Sequence, residues 1–379
     1  MARGRIFKRQ GGYGYRVDLP PDPATGKRRQ VQRQGFRTKR DAERALGDRL
    51  SEISSGTAVT PSNDELGTFL DDWLLGQRTR LKETTWESYR VVVDRIKGRI
   101  GKVKLQAITP LDLERFYRVL GEEGGSKSKP LSAKTVRNTH TVLRKALADA
   151  ERLELIPRNP AASARPPAEE RKEQSTWSSD ELREFLDEVR EDRLFAMYVV
   201  MATTGMRRGE VLGLRWTDVD LDALELHIVQ TLAAVNYQPV FSTPKTKRSR
   251  RLVYLDEDTV KILRAHRQAQ RQERLAAGEA WEGAEFDLVF CDELGGPLNP
   301  DWISREFRRQ VTEAGVAAIR LHDLRHTYAT LALKAGVHPK VVSDRLGHAT
   351  VGVTLDLYSH VTPAIGRDAA DVVAARIFG

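Results

Sequence analysis

Twelve consecutive residues at 194–205, LFAMYVVMATTG, contain no charged side chain. A surface helix shows one apolar stripe, whereas a helix apolar all round has to be wrapped by other elements. This run is therefore expected to be the central helix of a domain, ended by Gly205. The chain on both sides must supply the wrapping. Ahead of it, Ser178 and Glu181 form a capping box, followed by a stripe of Leu182, Phe185, Leu186 and Val189. Behind it, strands are expected at 224–230, near 239–242 and at 250–255. Helices follow at 256–277 and at 300–314, the latter capped by Asn299.

A chain of 379 residues is too long for one such domain. The stretch 157–174 is proline-rich and charged and reads as an extended linker, which sets the main boundary. Upstream of it, 63–160 reads as four helices. Phe69, Trp73 and Leu74 make a first stripe, and Thr85 caps a helix carrying Tyr89, Val93, Ile96 and Ile100. Thr109-Pro110 opens a third helix, with proline at its first position. The segment 121–130 reads as a loop, and Ser132 opens a long fourth helix. Residues 5–36 alternate like strands around a turn-rich 20–26, and Thr38 with Asp41 starts a helix striped by Ala42, Ala45, Leu46 and Leu50. The expected architecture is multidomain and mainly α with small β-sheets. It comprises a three-stranded sheet plus helix (1–58), a helical domain (63–160) and a mixed α+β domain (176–379).

Charge is distributed unevenly. The chain carries a net +9, and residues 1–60 alone hold 14 Lys/Arg against 6 Asp/Glu, a net +8. Such an asymmetry points to a polyanion-binding module, with nucleic acid as its partner. The single cysteine, Cys291, excludes an intrachain disulfide and a cysteine-based zinc site. No run approaches the roughly 18 apolar residues of a membrane span, and the basic N-terminus lacks a signal-peptide core. A soluble, cytoplasmic protein is expected.

Chemistry concentrates at 320–360. His322 and Arg325 stand three apart, on one helix face. His348 follows in Leu346-Gly347-His348, and Tyr358 closes the segment. Arginine offers a fixed cationic fork to phosphate oxygens. A tyrosine oxygen can attack and form a covalent intermediate, and histidine moves protons near neutrality. Taken singly, each residue has an ordinary explanation: a core tyrosine, a solvated helix face, a helix C-cap.

Together, HDLRHTYAT (322–330), LGH (346–348) and TLDLYSH (354–360) resemble the catalytic box of the tyrosine recombinases, the phage-integrase family. TGMRRGE (204–210) resembles that family's first arginine box, and PKTK (244–247) its lysine turn. The resemblance implies six catalytic positions: Arg207, Lys245, His322, Arg325, His348 and the nucleophile Tyr358, with Glu210 supporting Arg207. Lys247 is the rival to Lys245, each placed in a hairpin turn between the second and third strands of the domain. It further implies an arm-type DNA-binding domain at 1–58 and a core-binding domain at 63–160. DNA-contacting side chains are expected at Arg16, Lys27, Arg28, Arg29, Arg33, Lys247 and Arg248.

The implied activity is site-specific DNA strand exchange through a 3′-phosphotyrosine, integrating or excising a mobile element. No metal, ATP or redox cofactor is implied. The partners would be double-stranded DNA at core and arm-type sites, three further copies in a tetramer on DNA, and a host or phage directionality factor, with no membrane. Val372, Val373, Ile377 and Phe378 are apolar for a free tail and are expected to pack on a neighbouring protomer or on their own domain. The alternatives are a type IB topoisomerase, a non-catalytic DNA-binding regulator on this scaffold, and a metal-dependent nuclease.

Overall fold

The computed structural model describes residues 4–9, 11–19, 26, 28–54, 59–169, 175–236, 238–243, 250–348, 350–352, 354, 374 and 376–378. The chain divides into two compact units, 1–171 and 172–379.

The first unit opens with an antiparallel sheet in the order β1 (Gly4–Arg9), β2 (Gly12–Leu19), β3 (Arg29–Phe36). Helix α1 (Lys39–Ser54) packs on it, capped by Thr38, whose Oγ1 accepts from the Asp41 amide at 3.1 Å. Side chains alternate between the faces of a strand. Tyr15, Val17 and Ala42 form the small core under α1. The register pairs Arg5 with Arg16 and Arg16 with Gln32, so these three share the opposite face.

Helices α2 (Leu66–Gln77), α3 (Glu83–Ile100), α4 (Pro110–Glu123) and α5 (Ala133–Arg152) follow. Their core includes Leu70, Trp73, Val93, Ile96, Phe116, Tyr117, Leu143 and Leu147. Thr109 and Asp112 close a capping box on α4, and the Ser132 hydroxyl caps α5. Thr85 caps nothing. Helix α3 begins three residues earlier than that cap implies, behind Lys82, with Glu83 supplying first-turn negative charge instead.

The expected loop at 121–130 starts later, because α4 runs on to Glu123. The expected linker also starts later. Ile156, Asn159, Pro160, Ala161 and Ala164 are buried. Asn159 Nδ2 donates to the Arg144 carbonyl at 2.9 Å, and the Arg165 amide donates to Glu114 at 3.0 Å. Apolar side chains between the prolines hold this stretch against the bundle.

In the second unit, the apolar run forms α7 (Phe195–Thr204), buried along Ala196–Ala202 as expected. Helix α6 (Ser179–Glu188) precedes it behind the Ser178/Glu181 capping box. Trp177, Phe185, Tyr198 and Phe307 pack ring on ring, with centroids 5.1–5.9 Å apart. Burying one such large side chain contributes roughly 1.5–3 kcal/mol.

Helix α8 (Arg208–Leu212) follows α7. Strands β4 (Val219–Asp220), β5 (Glu225–Ile228) and β8 (Arg251–Tyr254) form one sheet, while β6 (Thr231–Val235) and β7 (Gln238–Ser242) form another. The expected strand at 224–230 is thus shorter, and β6 follows it as a strand not expected from the sequence. Gly209 and Gly213 let β6 lie directly on α8: a Cβ would meet the Leu232 carbonyl oxygen at 2.6 Å and the Leu232 amide nitrogen at 3.0 Å respectively. Gln230 Nε2 donates to the Gly213 carbonyl at 3.0 Å, where the chain changes sheets.

The strands on either side of 244–249 therefore belong to different sheets and do not form one hairpin, which corrects the expected placement of the lysine turn. Helices α9 (Glu257–Ala277), α10 (Pro300–Glu313), α11 (Asp323–Lys334) and α12 (Pro339–Leu346) follow. Asp256 and Asn299 cap α9 and α10 through their side chains. Among the described residues, no helix is long and apolar enough to cross a membrane.

Candidate active site

Helix α7 ends at Gly205, whose φ is 64°. An L side chain is strained there. A Cβ would also fall 2.5 Å from Leu346 Cδ2 and 2.6 Å from Tyr328 Cδ1. This turn puts Arg207 at the N-cap of α8. Glu210 accepts from the Arg207 backbone amide at 2.9 Å and from its Nη1 at 2.7 Å, so the guanidinium is fixed from behind.

Glu210 is 2 % exposed, and a carboxylate so buried needs pairing. Arg251, the first residue of β8, donates Nη1 and Nη2 to its two oxygens at 3.1 and 3.0 Å. Burial opposes ionisation of Glu210, but the Arg251 fork and then Arg207 outweigh it and hold the carboxyl below its usual range.

The other wall is the C-terminal end of α12. The last carbonyls of a helix lack intrahelical donors and carry the negative end of its dipole. Here three successive carbonyls each accept from a different arginine. Arg345 O takes Arg251 Nε, Leu346 O takes Arg325 Nη2 at 2.7 Å, and Gly347 O takes Arg207 Nη2 at 3.0 Å. Arg325, 2 % exposed, also donates Nη1 to the Gly205 carbonyl at 2.8 Å. Its guanidinium therefore ties the α7–α8 turn to the α12 terminus. Burial, then the nearby Arg207, lowers it to about 9. Three guanidiniums and one carboxylate leave two positive charges uncompensated within this group. Such a site is built to receive an anion.

His322 is the N-cap of α11, one turn before Arg325. The residue is exposed to solvent. The surrounding protein wall, then His326 and Arg325, nevertheless push it down to about 4. His348 follows the left-handed Gly347, and its Nδ1 lies 2.8 Å from the hydroxyl of the buried Thr354. Burial, then Arg325 and Arg207, push it too down to about 4. Both imidazoles are thus neutral at pH 7 and able to accept a proton. Asp323 accepts from the Arg320 amide and guanidinium at 2.7–2.9 Å, which pins the start of α11.

Arg207, Glu210, His322, Arg325 and His348 therefore gather at one place. Tyr358, Lys245, Lys247, Arg248 and Lys27 lie outside the described residues. Sequence reasoning missed Arg251, His326 and Thr354. The His326 and His322 rings meet edge to face with centroids 5.3 Å apart. Among the described residues, no group of three His, Cys, Asp or Glu is placed to hold a metal ion.

In the N-terminal sheet the expected DNA-contacting arginines divide. Arg16 lies on the open face, bonded to Gln32 at 2.8 Å. Arg28 pairs with Asp18, while Arg29 and Arg33 fall in the rows that face α1. Arg29 donates to Thr60, and Arg33 stands 5.7 Å from the centre of the Phe36 ring.

Residues 176–364 match the Phage integrase family, 6–53 the Arm DNA-binding domain, and 65–120 the Phage integrase N-terminal SAM-like domain. A tyrosine recombinase XerC-like protein of Caldanaerobacter subterraneus is 29% identical over 356 residues, covering 89% of this chain and 90% of the relative. The ICEBs1 integrase of Bacillus subtilis is 28% identical over 364 residues, covering 95% and 96%. Among solved structures, a Tn1549 transposon integrase in complex with a circular intermediate DNA gives a TM-score of 0.69 at 19% identity, covering 82% of this chain and 100% of that one. A lambda integrase tetramer bound to a Holliday junction gives 0.57 at 20% identity, covering 91% and 95%. These two likenesses show a shared fold. With three family matches in domain order and relatives aligned over nearly their whole length, the chain belongs to the tyrosine recombinase, or phage integrase, family.

Proposed function

We propose that this integrase cuts and rejoins DNA strands with Tyr358 as its nucleophile and without a metal. The observation that carries this reading is the anion-ready centre, where Arg207 and Arg325 stand with a surplus of positive charge between two neutral histidines. A phosphodiester gains charge on its non-bridging oxygens as it is attacked, and preorganised cations stabilise that charge without reorganising. The Tyr358 oxygen bonds to phosphorus as the bond to the 5′-oxygen breaks. Neutral His322 takes the phenolic proton, and Lys245 gives a proton to the departing 5′-hydroxyl. His348 hydrogen-bonds a phosphate oxygen. The 3′-phosphotyrosine keeps the phosphodiester's energy, so a partner 5′-hydroxyl can reverse the steps and join strands.

Four such cleavages require four active sites on two duplexes, hence a tetramer on DNA. The exposed Ile377 and Phe378 support a docking role for the chain's last residues. Residues 1–58 bind an arm-type site apart from the crossover, and 63–160 bind the core. A directionality factor sets the direction of exchange.

The test is a nicked core substrate that loses its short 5′-hydroxyl fragment on cleavage. Wild-type protein is expected to be trapped as a covalent adduct with EDTA present. Tyr358→Phe should fold and bind DNA but form no adduct. An adduct that still forms, or that maps to Tyr328, refutes the assignment; loss of the adduct in EDTA refutes metal independence.

A further inference from the structure

We propose that Arg251 is a positioning residue for the reaction. It absorbs the charge of Glu210, so that Arg207 keeps its own charge for the scissile phosphate. The inference rests on the reading of Arg207 as a phosphate ligand.

The geometry behind it is a division of one carboxylate between two cations. Glu210 Oε1 accepts from Arg207 Nη1 at 2.7 Å and from Arg251 Nη1 at 3.1 Å. Oε2 accepts from the Arg207 amide at 2.9 Å and from Arg251 Nη2 at 3.0 Å. Arg251 thus spans both oxygens with its side chain, whereas Arg207 gives the carboxylate only one terminal nitrogen and the Gly347 carbonyl the other. The exposures differ in the same sense: the side chain of Arg251 is 7% open to solvent, and that of Arg207 is 36% open. The buried guanidinium neutralises the carboxylate, and the other keeps more than a third of its side chain open to solvent.

Without Arg251, Glu210 and Arg207 would form a one-to-one pair in a poorly solvated site, where opposite charges attract strongly. An incoming phosphate would then have to compete with Glu210 for the arginine. With Arg251 present, the same carboxylate has a second cation. Arg251 also donates Nε to the Arg345 carbonyl, one residue before the carbonyl that takes Arg325 and two before the one that takes Arg207. It therefore sets Glu210 and the α12 terminus against each other. A charged residue on a four-residue strand, in the row shared with the fully buried Val253, has this as its physical justification.

A purely structural role would slow reaction at every kind of phosphate. A role in reserving charge should depend on the charge of the phosphate. The experiment compares wild type, Arg251→Met and Arg251→Lys on two nicked core substrates, one with an ordinary scissile phosphate and one with an uncharged methylphosphonate. Single-turnover adduct formation is measured at saturating DNA, with thermal melting and DNA affinity measured alongside.

On the ordinary phosphate, Arg251→Met is expected to react about 10–100-fold more slowly than wild type, the usual scale for losing a supporting partner of a reactive group. Its DNA affinity should be little changed. Arg251→Lys, which restores the charge without the fork, should recover part of the rate. On the methylphosphonate the gap between wild type and both variants should nearly close. If Arg251→Met does not fold, the same narrowing in Arg251→Lys decides the question. Equal losses on both substrates, or no loss on either, would overturn the proposal. Wild-type protein that forms no adduct on the ordinary phosphate would instead overturn the nucleophile assignment and leave a different signature.

Discussion

Arg28 and Arg325 each donate through two side-chain nitrogens, yet 73% of the Arg28 side chain is open to water and Arg325 is 2 % exposed. Arg28 pairs with Asp18 on the surface of the first unit and holds that carboxyl below its usual range. Water and salt screen such a pair, so little is lost when Arg28 exchanges Asp18 for another anion. Arg325 has no such freedom. It donates to two backbone carbonyls that belong to different turns, and burial lowers it to about 9. One arginine is a mobile charge suited to the outside of a duplex. The other is a fixed strut whose charge is costly to keep and therefore strongly seeks an anion. A single residue type is thus a screened surface charge in one unit and a buried, preorganised one in the other.

The sharpest way to break this contrast is to remove the strut. Arg325→Ala leaves the Gly205 and Leu346 carbonyls without their donor, at about 1–3 kcal/mol for each that stays buried and unpaired. It also removes a transition-state stabiliser, which typically costs ~10²–10³ in rate. We expect a lower melting temperature together with a loss of adduct formation of that order. Arg28→Gln should leave both quantities unchanged. Equal behaviour of the two variants would erase the distinction.

The two units were also legible in the sequence to different degrees, for reasons that lie in range. The apolar run of α7, the Ser178/Glu181 capping box, the Thr109-Pro110 helix start and the Gly205 stop are local signals, and each forms where the sequence places it. The alternating strands of the first unit are local too. What stayed hidden depends on partners far along the chain. Arg251 finds Glu210 41 residues away and Arg345 94 residues away. The placing of β6 after the expected strand depends on Gly209 in α8 and Gly213 just past its end, which make room for it. The stretch from Pro157 reads as an extended linker because its prolines and charges hide Ala161 and Ala164, which pack on the bundle. One local clue to Arg251 existed, since it shares an alternation row with Val253 and a charge on a buried row calls for a partner.

A smaller effect sharpens the other side of the comparison. The open face of the N-terminal sheet presents Arg5, Arg16 and Gln32 in one cross-strand row. If that face meets DNA phosphates at an arm-type site, Arg16→Ala should weaken arm binding across sequences and lower the slope of log affinity against log salt by about 1. Deleting residues 1–58 should abolish arm binding yet spare adduct formation on a short core substrate. A deletion protein that integrates as well as the full chain would contradict a separate arm function. An unchanged salt slope in Arg16→Ala would move the contact to another face.

The mildest test uses acid, to which the two units should respond differently. In the second unit His322 and His348 are lowered to about 4, and His266 and His326 are lowered as well, mainly by burial. In the first unit His140 is the lowered histidine among the described residues. Above the unfolded histidine value of ~6.5, neither state binds these protons, and stability does not depend on them. As pH falls below it, the unfolded chain takes up protons that the folded site refuses, and stability is lost. The loss should be complete near pH 4, where the folded His322 and His348 titrate. The Asp18 carboxylate is lowered too, so its surface pair persists through this window. The full chain should therefore melt at progressively lower temperature from about pH 6.5 to pH 4.5. The double variant His322→Gln, His348→Gln should flatten that dependence. A duplex core site should do the same for wild type, because a phosphate between Arg207 and Arg325 favours protonated imidazoles and raises their values. A pH profile identical in wild type, the double variant and the DNA complex would show that the two histidines do not sit in the field described here.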